Sequence, residues 1–182
     1  MIERSEIMKK TITAKTLTLS GMFLALALLL PFLTGQIPKI GNMLCPMHIP
    51  VLLCGYFCGG TLGLLVGFLA PLLRSVLFGM PLMFPAAICM AFELAVYGIT
   101  AGTLYRLFPG GKSGVWLSLI CAMLLGRMVW GAAMLFLVGA ENFGMSAFVA
   151  GAVTTALPGI AVQLLLIPLI VLTMEKYKKF YK

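Results

Sequence analysis

VWLSLICAMLLGRMVWGAAMLFLV, residues Val115 to Val138, is an apolar run of 24 residues broken by one charge, Arg127. As a helix rising 1.5 Å per residue it reaches about 36 Å, enough to cross the roughly 30 Å hydrocarbon core of a bilayer. The same character recurs on both sides of it. Apolar stretches cover about Thr16–Leu33, Thr61–Phe78 and Ala86–Leu107, and a last one covers Ser146–Met174, interrupted at Pro158-Gly159 and Pro168. Val51–Cys58 is too short to cross alone, so it is either a short tilted helix or one that borrows residues from the preceding loop. Across 182 residues, 62% are apolar and 10% charged, more apolar surface than a soluble domain of this size can hide. The expected fold is an all-α integral membrane protein, one domain over residues 1–182, built as a bundle of six transmembrane helices. Five spans with a re-entrant Val51–Cys58 is the fallback.

The net charge of +8 sits in the polar gaps. With six spans, one side collects Arg4, Lys9, Lys10, Lys15, Arg106, Lys112, Lys176, Lys178, Lys179 and Lys182, while Lys39 alone falls on the other. The positive-inside rule therefore puts both termini in the cytoplasm. The lysines read as membrane anchors, and no nucleic-acid partner is expected. Gly21 to Leu33 runs on without a small-residue cleavage site, so the first span is not read as a cleaved signal. The outward connections are Thr34–Pro50, Gly79–Pro85 and Gly139–Met145. The first is rich in Pro and Gly and long for a compact bundle, which suits a lid. The five cysteines lie in or beside apolar segments. Neither a disulfide framework nor a metal site is expected from them.

Polar side chains inside apolar segments are few, and at that depth each needs a partner or a wet cavity. Counting from the outer ends, Arg74 and Glu93 fall in the outward half, Arg127 and Gln163 fall near the midplane, and His48 stands at the entry to the second span. The plain structural reading is an ion pair of Glu93 with Arg74 or Arg127. One acid against two bases leaves an arginine over, and a surplus cation in an outward cavity is a natural receptor for a carboxylate or phosphate. Tyr97, four residues past Glu93, and Trp130, three past Arg127, are placed to stack on a ring, although packing is the commoner use of both. Asn42 and Asn142 lie in outer loops. Gly21-x-x-x-Ala25, with Ser20 and Ala27 nearby, puts small residues one turn apart on the first span, as close helix approach in lipid requires. That contact is either internal or with another membrane protein.

Catalytic machinery is not visible. The chain has no G-x-S-x-G, H-E-x-x-H or P-loop, and a single histidine. No enzyme activity and no cofactor are expected.

Several stretches resemble a known family. Met47-His-Ile-Pro-Val-Leu-Leu-Cys-Gly-Tyr-Phe-Cys-Gly-Gly60, Leu64-Leu-Val-Gly-Phe-Leu-Ala-Pro-Leu-Leu-Arg74, Phe78-Gly-Met-Pro81 and Met90-Ala-Phe-Glu-Leu-Ala-Val-Tyr-Gly98 are similar to the substrate-binding S components of energy-coupling factor (ECF) vitamin transporters. The length, span count and lid-like first outer loop fit as well. The resemblance implies a subunit that captures a vitamin or its precursor from outside. It implies association with a transmembrane coupling protein and two cytoplasmic ATPases, and import by toppling in the membrane. The family's A-x-x-x-A docking motif on span one has its nearest match in Gly21 and Ala25. Family substrate sites lie in the outward half, which implicates Asn42, His48, Arg74, Glu93, Tyr97, Arg127, Trp130 and Gln163.

The expected function is therefore capture of a small water-soluble vitamin for ATP-driven import. On the surplus arginine, an anionic substrate such as pantothenate or nicotinate is favoured. The main alternative is a stand-alone small-solute channel or facilitator, with Arg74, Glu93 and Arg127 lining a pore.

Overall fold

The computed structural model describes residues 12–33, 45–108, 111–151 and 156–180. In chain order the elements are α1 (Ala14–Leu33), α2 (His48–Cys58), α3 (Gly60–Phe78), a π-helical turn (Met83–Ala87), α4 (Ile88–Leu107), α5 (Lys112–Val138), the short α6 (Met145–Val149) and α7 (Leu157–Phe180). The fold is an all-α membrane bundle. Five helices are long and apolar enough to cross a bilayer, and α2 is the shorter sixth.

At 11 residues, α2 extends only about 16 Å. It takes His48, Ile49 and Pro50 from what reads in the sequence as loop, and nearly every residue in it is buried. Protein rather than lipid surrounds it, so a full bilayer span is not demanded of it. α2 packs against α1, α3, α4 and α7, and α4 is the hub that also meets α3 and α5.

Glycine makes this packing possible. A Cβ at Gly63 or Gly98 would run into the other's backbone, and one at Gly67 would run into the Leu94 carbonyl. The backbones of α3 and α4 thus touch directly, the small-residue contact that drives helix association in lipid. Gly98→Ala is expected to destabilise the bundle by about 1–3 kcal/mol, since backbone cannot give way as a side chain can. A thermal unfolding scan in detergent checks this, and an unchanged midpoint would show that the contact is not tight. Gly59, at φ 104°, makes the sharp break between α2 and α3 in a conformation that residues with a Cβ rarely adopt.

The last span starts later than the sequence suggests. Pro158-Gly159 reads there as an interruption within Ser146–Met174, but the long helix begins at Leu157, which puts Pro158 in its first turn, where its missing N–H costs nothing. The apolar residues before it form the separate short α6.

Polar contacts tie the lysine-rich end together. The Tyr56 hydroxyl lies 2.9 Å from Ser118 Oγ and donates to the Val115 carbonyl. The Tyr105 hydroxyl donates to Glu175, joining α4 to α7, and Arg106 Nη2 donates to the Cys58 carbonyl at 3.3 Å. Helix ends on this side are thereby fastened through side chains, to backbone and to one another, and the opposite end carries the features of interest.

Candidate functional site

His48 opens α2, with Cys45 three residues earlier. Glu93 and Tyr97 stand one turn apart on α4, and Arg127 lies eleven residues, or about 16 Å, below the outer end of α5. Packing of α2 and α5 on α4 brings these side chains together. Glu93 Oε1 lies 3.1 Å from Arg127 Nη1 and 3.5 Å from His48 Nε2. The Tyr97 ring meets the His48 ring edge-on, with centroids 5.2 Å apart. Gly126 makes room for it, since a Cβ there would strike the Tyr97 ring. Arg127 Nη2 points to Cys45 Sγ at 3.8 Å. Arg127 is the group that reaches outward, its side chain 15% exposed against 2% for both Glu93 and His48.

The polar atoms of this cluster are under-satisfied. Among the described residues, every buried side-chain nitrogen or oxygen without a hydrogen-bond partner belongs to His48, Glu93, Tyr97, Arg127 or Gln163. Both amide atoms of Gln163 are among them, on α7, which packs against α2 and α5. An unmet polar atom in an apolar interior costs about 1–3 kcal/mol, so a concentration of them marks a place kept for something other than stability.

Arg74 stands apart from the cluster. Its Nη1 donates to the Leu28 carbonyl of α1 at 2.6 Å, and its guanidinium lies against the edge-on ring pair of Phe32 and Phe78, 4.9 and 5.5 Å from their centroids. Arg74 thus clamps α1 to α3. The acid takes Arg127, and the remaining base holds a helix.

Trp130 also points elsewhere. Its ring packs on Phe143 at 5.7 Å and Phe148 at 6.3 Å, in the segment after α5. Beside it lies an apolar cleft of about 260 Å³ between Gly131, Ala132 and Leu135 of α5 and Phe143, Met145 and Phe148 beyond. Gly131 stands one turn above Arg127 on α5, which puts the cleft nearer the outer end of that helix than the polar cluster. Sequence reading missed these lining residues because Gly139–Met145 looks like a polar link. The aromatic signal at Phe143 and Phe148 was there to be found. Cys45, which faces Arg127, was likewise passed over as a small hydrophobe. Asn42 lies outside the described residues.

On α1, Ser20, Phe23 and Ala27 face inward, while Gly21 and Ala25 are exposed, and the position of a Cβ on Gly21 has nothing within 4 Å. Among the described residues, nothing packs on this small-residue pair.

A multi-pass helical membrane bundle with an under-satisfied polar cluster near one face is the architecture of a membrane solute binder. The family comparison agrees: residues 15–171 match the model of the ECF transporter, substrate-specific component, and the chain belongs to that family. No curated protein and no solved structure gives a significant match. Membership makes the chain the substrate-specific part of an importer whose other parts are a transmembrane component and ATPases. Its business is binding a transported solute.

Proposed function

We propose that this S component captures a small water-soluble vitamin or vitamin precursor bearing a carboxylate, with pantothenate or nicotinate ahead of neutral compounds. The site is the cluster of His48, Glu93, Tyr97, Arg127 and Gln163. One observation carries the reading. Arg127 gives Nη1 to Glu93, while its Nε has no hydrogen bond and its Nη2 points to the Cys45 thiol, with Tyr97 as a polar neighbour. Nε and Nη2 form the side-on edge of the guanidinium, the fork that matches a carboxylate with two parallel N–H···O bonds. Tyr97 and Gln163 supply further donors and acceptors for the polar part of the ligand, and the apolar cleft above Arg127 suits its body. Arg74 serves the fold in this reading, and Trp130 supports Phe143 and Phe148, which line the cleft.

The loaded subunit then hands its cargo to a coupling protein and two ATPases, docking through the Gly21–Ala25 face of α1. The exposure of those two residues supports this role.

The test is a thermal-shift screen of the detergent-purified chain against B vitamins and their precursors, each acid beside its neutral counterpart. A large shift for one acid and little for its amide or alcohol is expected. A shift for a neutral vitamin alone would overturn the carboxylate reading.

A further inference from the structure

Glu93 Oε1 stands between two bases from different helices, Arg127 Nη1 at 3.1 Å and His48 Nε2 at 3.5 Å. With His48 neutral, one carboxylate and one guanidinium cancel. A ligand carboxylate on Arg127 upsets that balance, because two anions then share one cation where His48 and Glu93 are each 2% exposed. An uncompensated charge in such a place is far costlier than in water. We propose that binding of a carboxylate substrate draws one proton from the outer solution onto His48, whose imidazolium then holds Glu93 while Arg127 turns its fork to the ligand. The inference rests on the carboxylate reading above, and it makes His48 the residue that sets the preference for an acid over its amide.

The groups facing His48 leave this role to it. α4 brings Glu93, Tyr97 and Cys89, α5 brings Arg127, and Cys45 and Cys54 flank it along the chain. A tyrosine or a thiol can change charge only by losing a proton, which would deepen the imbalance, and an arginine is already cationic. Protonation of Glu93 would forfeit its pair with Arg127. α3 contributes Arg74, which is committed to the Leu28 carbonyl. The outer halves of α1 and α7 carry no titratable side chain. Both His48 nitrogens are buried without a hydrogen bond, so the ring has a site for the proton and, in Glu93, an acceptor within a small movement. Because a proton is taken up with the ligand, the Kd for the acid rises as pH rises, and by linkage the bound acid favours the protonated ring.

Calorimetric titration of the full chain with nicotinate and with pantothenate, in two buffers of different ionisation enthalpy at one pH near neutrality, counts the protons directly. About one proton per bound acid is expected, as charge compensation requires. His48→Gln should bind the acid about tenfold more weakly or worse and take up none. A bound acid with no proton uptake by the unaltered chain overturns the inference and leaves the substrate reading standing. Uptake that survives His48→Gln puts the proton on Glu93 and overturns it too. Absence of binding by either acid overturns the carboxylate reading for these ligands and the inference with it. Where the variant fails to fold, the imidazole resonance of His48, the single histidine of the sequence, reads its charge in the unaltered chain: an imidazolium signal on binding the acid is expected, and a neutral ring overturns the inference.

Discussion

Arg127→Lys is expected to lower affinity for the carboxylate substrate by about a hundredfold or more, while the unfolding midpoint moves by only a few degrees. Lysine keeps a positive charge opposite Glu93, so the buried acid still has a partner. It lacks the planar fork, and the two parallel N–H···O bonds that Nε and Nη2 would give the ligand go with it. Each charge-assisted bond contributes about 1.5–3 kcal/mol, and every 1.4 kcal/mol is tenfold in Kd. Arg127→Ala is a poorer probe. It strands Glu93 without a compensating charge, and breaking a buried pair from one side costs about 3–5 kcal/mol, so fold and binding would fail together. Equilibrium binding and a thermal scan on the lysine variant separate the two roles. Unchanged affinity would show that the fork does not hold the ligand.

The second large effect is on transport. Ala25→Trp should abolish ATP-driven uptake in vesicles carrying the complete importer and leave ligand binding by the isolated subunit unchanged. Gly21 and Ala25 are one turn apart on a face of α1 that none of the described residues covers, and Ser20, Phe23 and Ala27 fix the opposite face inside the bundle. Close approach of two helices in lipid needs small residues at the contact, and an indole there holds a partner helix away. Leu165→Trp, on an exposed position of α7, is the control for bulk alone and should leave uptake intact. Full uptake by the Ala25 variant would remove α1 as the docking surface.

Much of this architecture was legible because lipid imposes simple rules. The 24 apolar residues around Arg127 had to cross, and the lysines had to gather on one side. The depth argument also reached four of the five described residues that hold unpartnered buried polar atoms, with Tyr97 named only for its spacing from Glu93, since a polar side chain in an apolar helix has few ordinary reasons to be there. Pairing was harder. One acid and two bases do not say which base the acid takes. The answer depends on the rotation of α3 and α5 about α4, and on the Leu28 carbonyl of α1 accepting from Arg74, a backbone acceptor that no side-chain count reveals. Trp130 was read toward Arg127 from helix spacing alone. Its neighbours come instead from Phe143 and Phe148, beyond a turn whose path local sequence does not set. The start of α7 was misplaced because a proline early in an apolar run looks the same whether it breaks a helix or begins one.

The cost of the cluster fits its proposed use. Uncovered polar atoms at five residues weaken the empty bundle, and a ligand that meets them gains from each. The glycine contacts of α2, α3 and α4 and the tyrosine contacts at the lysine-rich end supply the rigid frame against which such a site can be held.

The most direct measurement is a structure of the chain with the acid that gives the largest thermal shift. The account predicts its carboxylate within about 3 Å of both Nε and Nη2 of Arg127, with Glu93 turned toward His48. A carboxylate resting on Arg74 beside Phe32 and Phe78, or a ligand that leaves the Arg127 fork untouched, would contradict it.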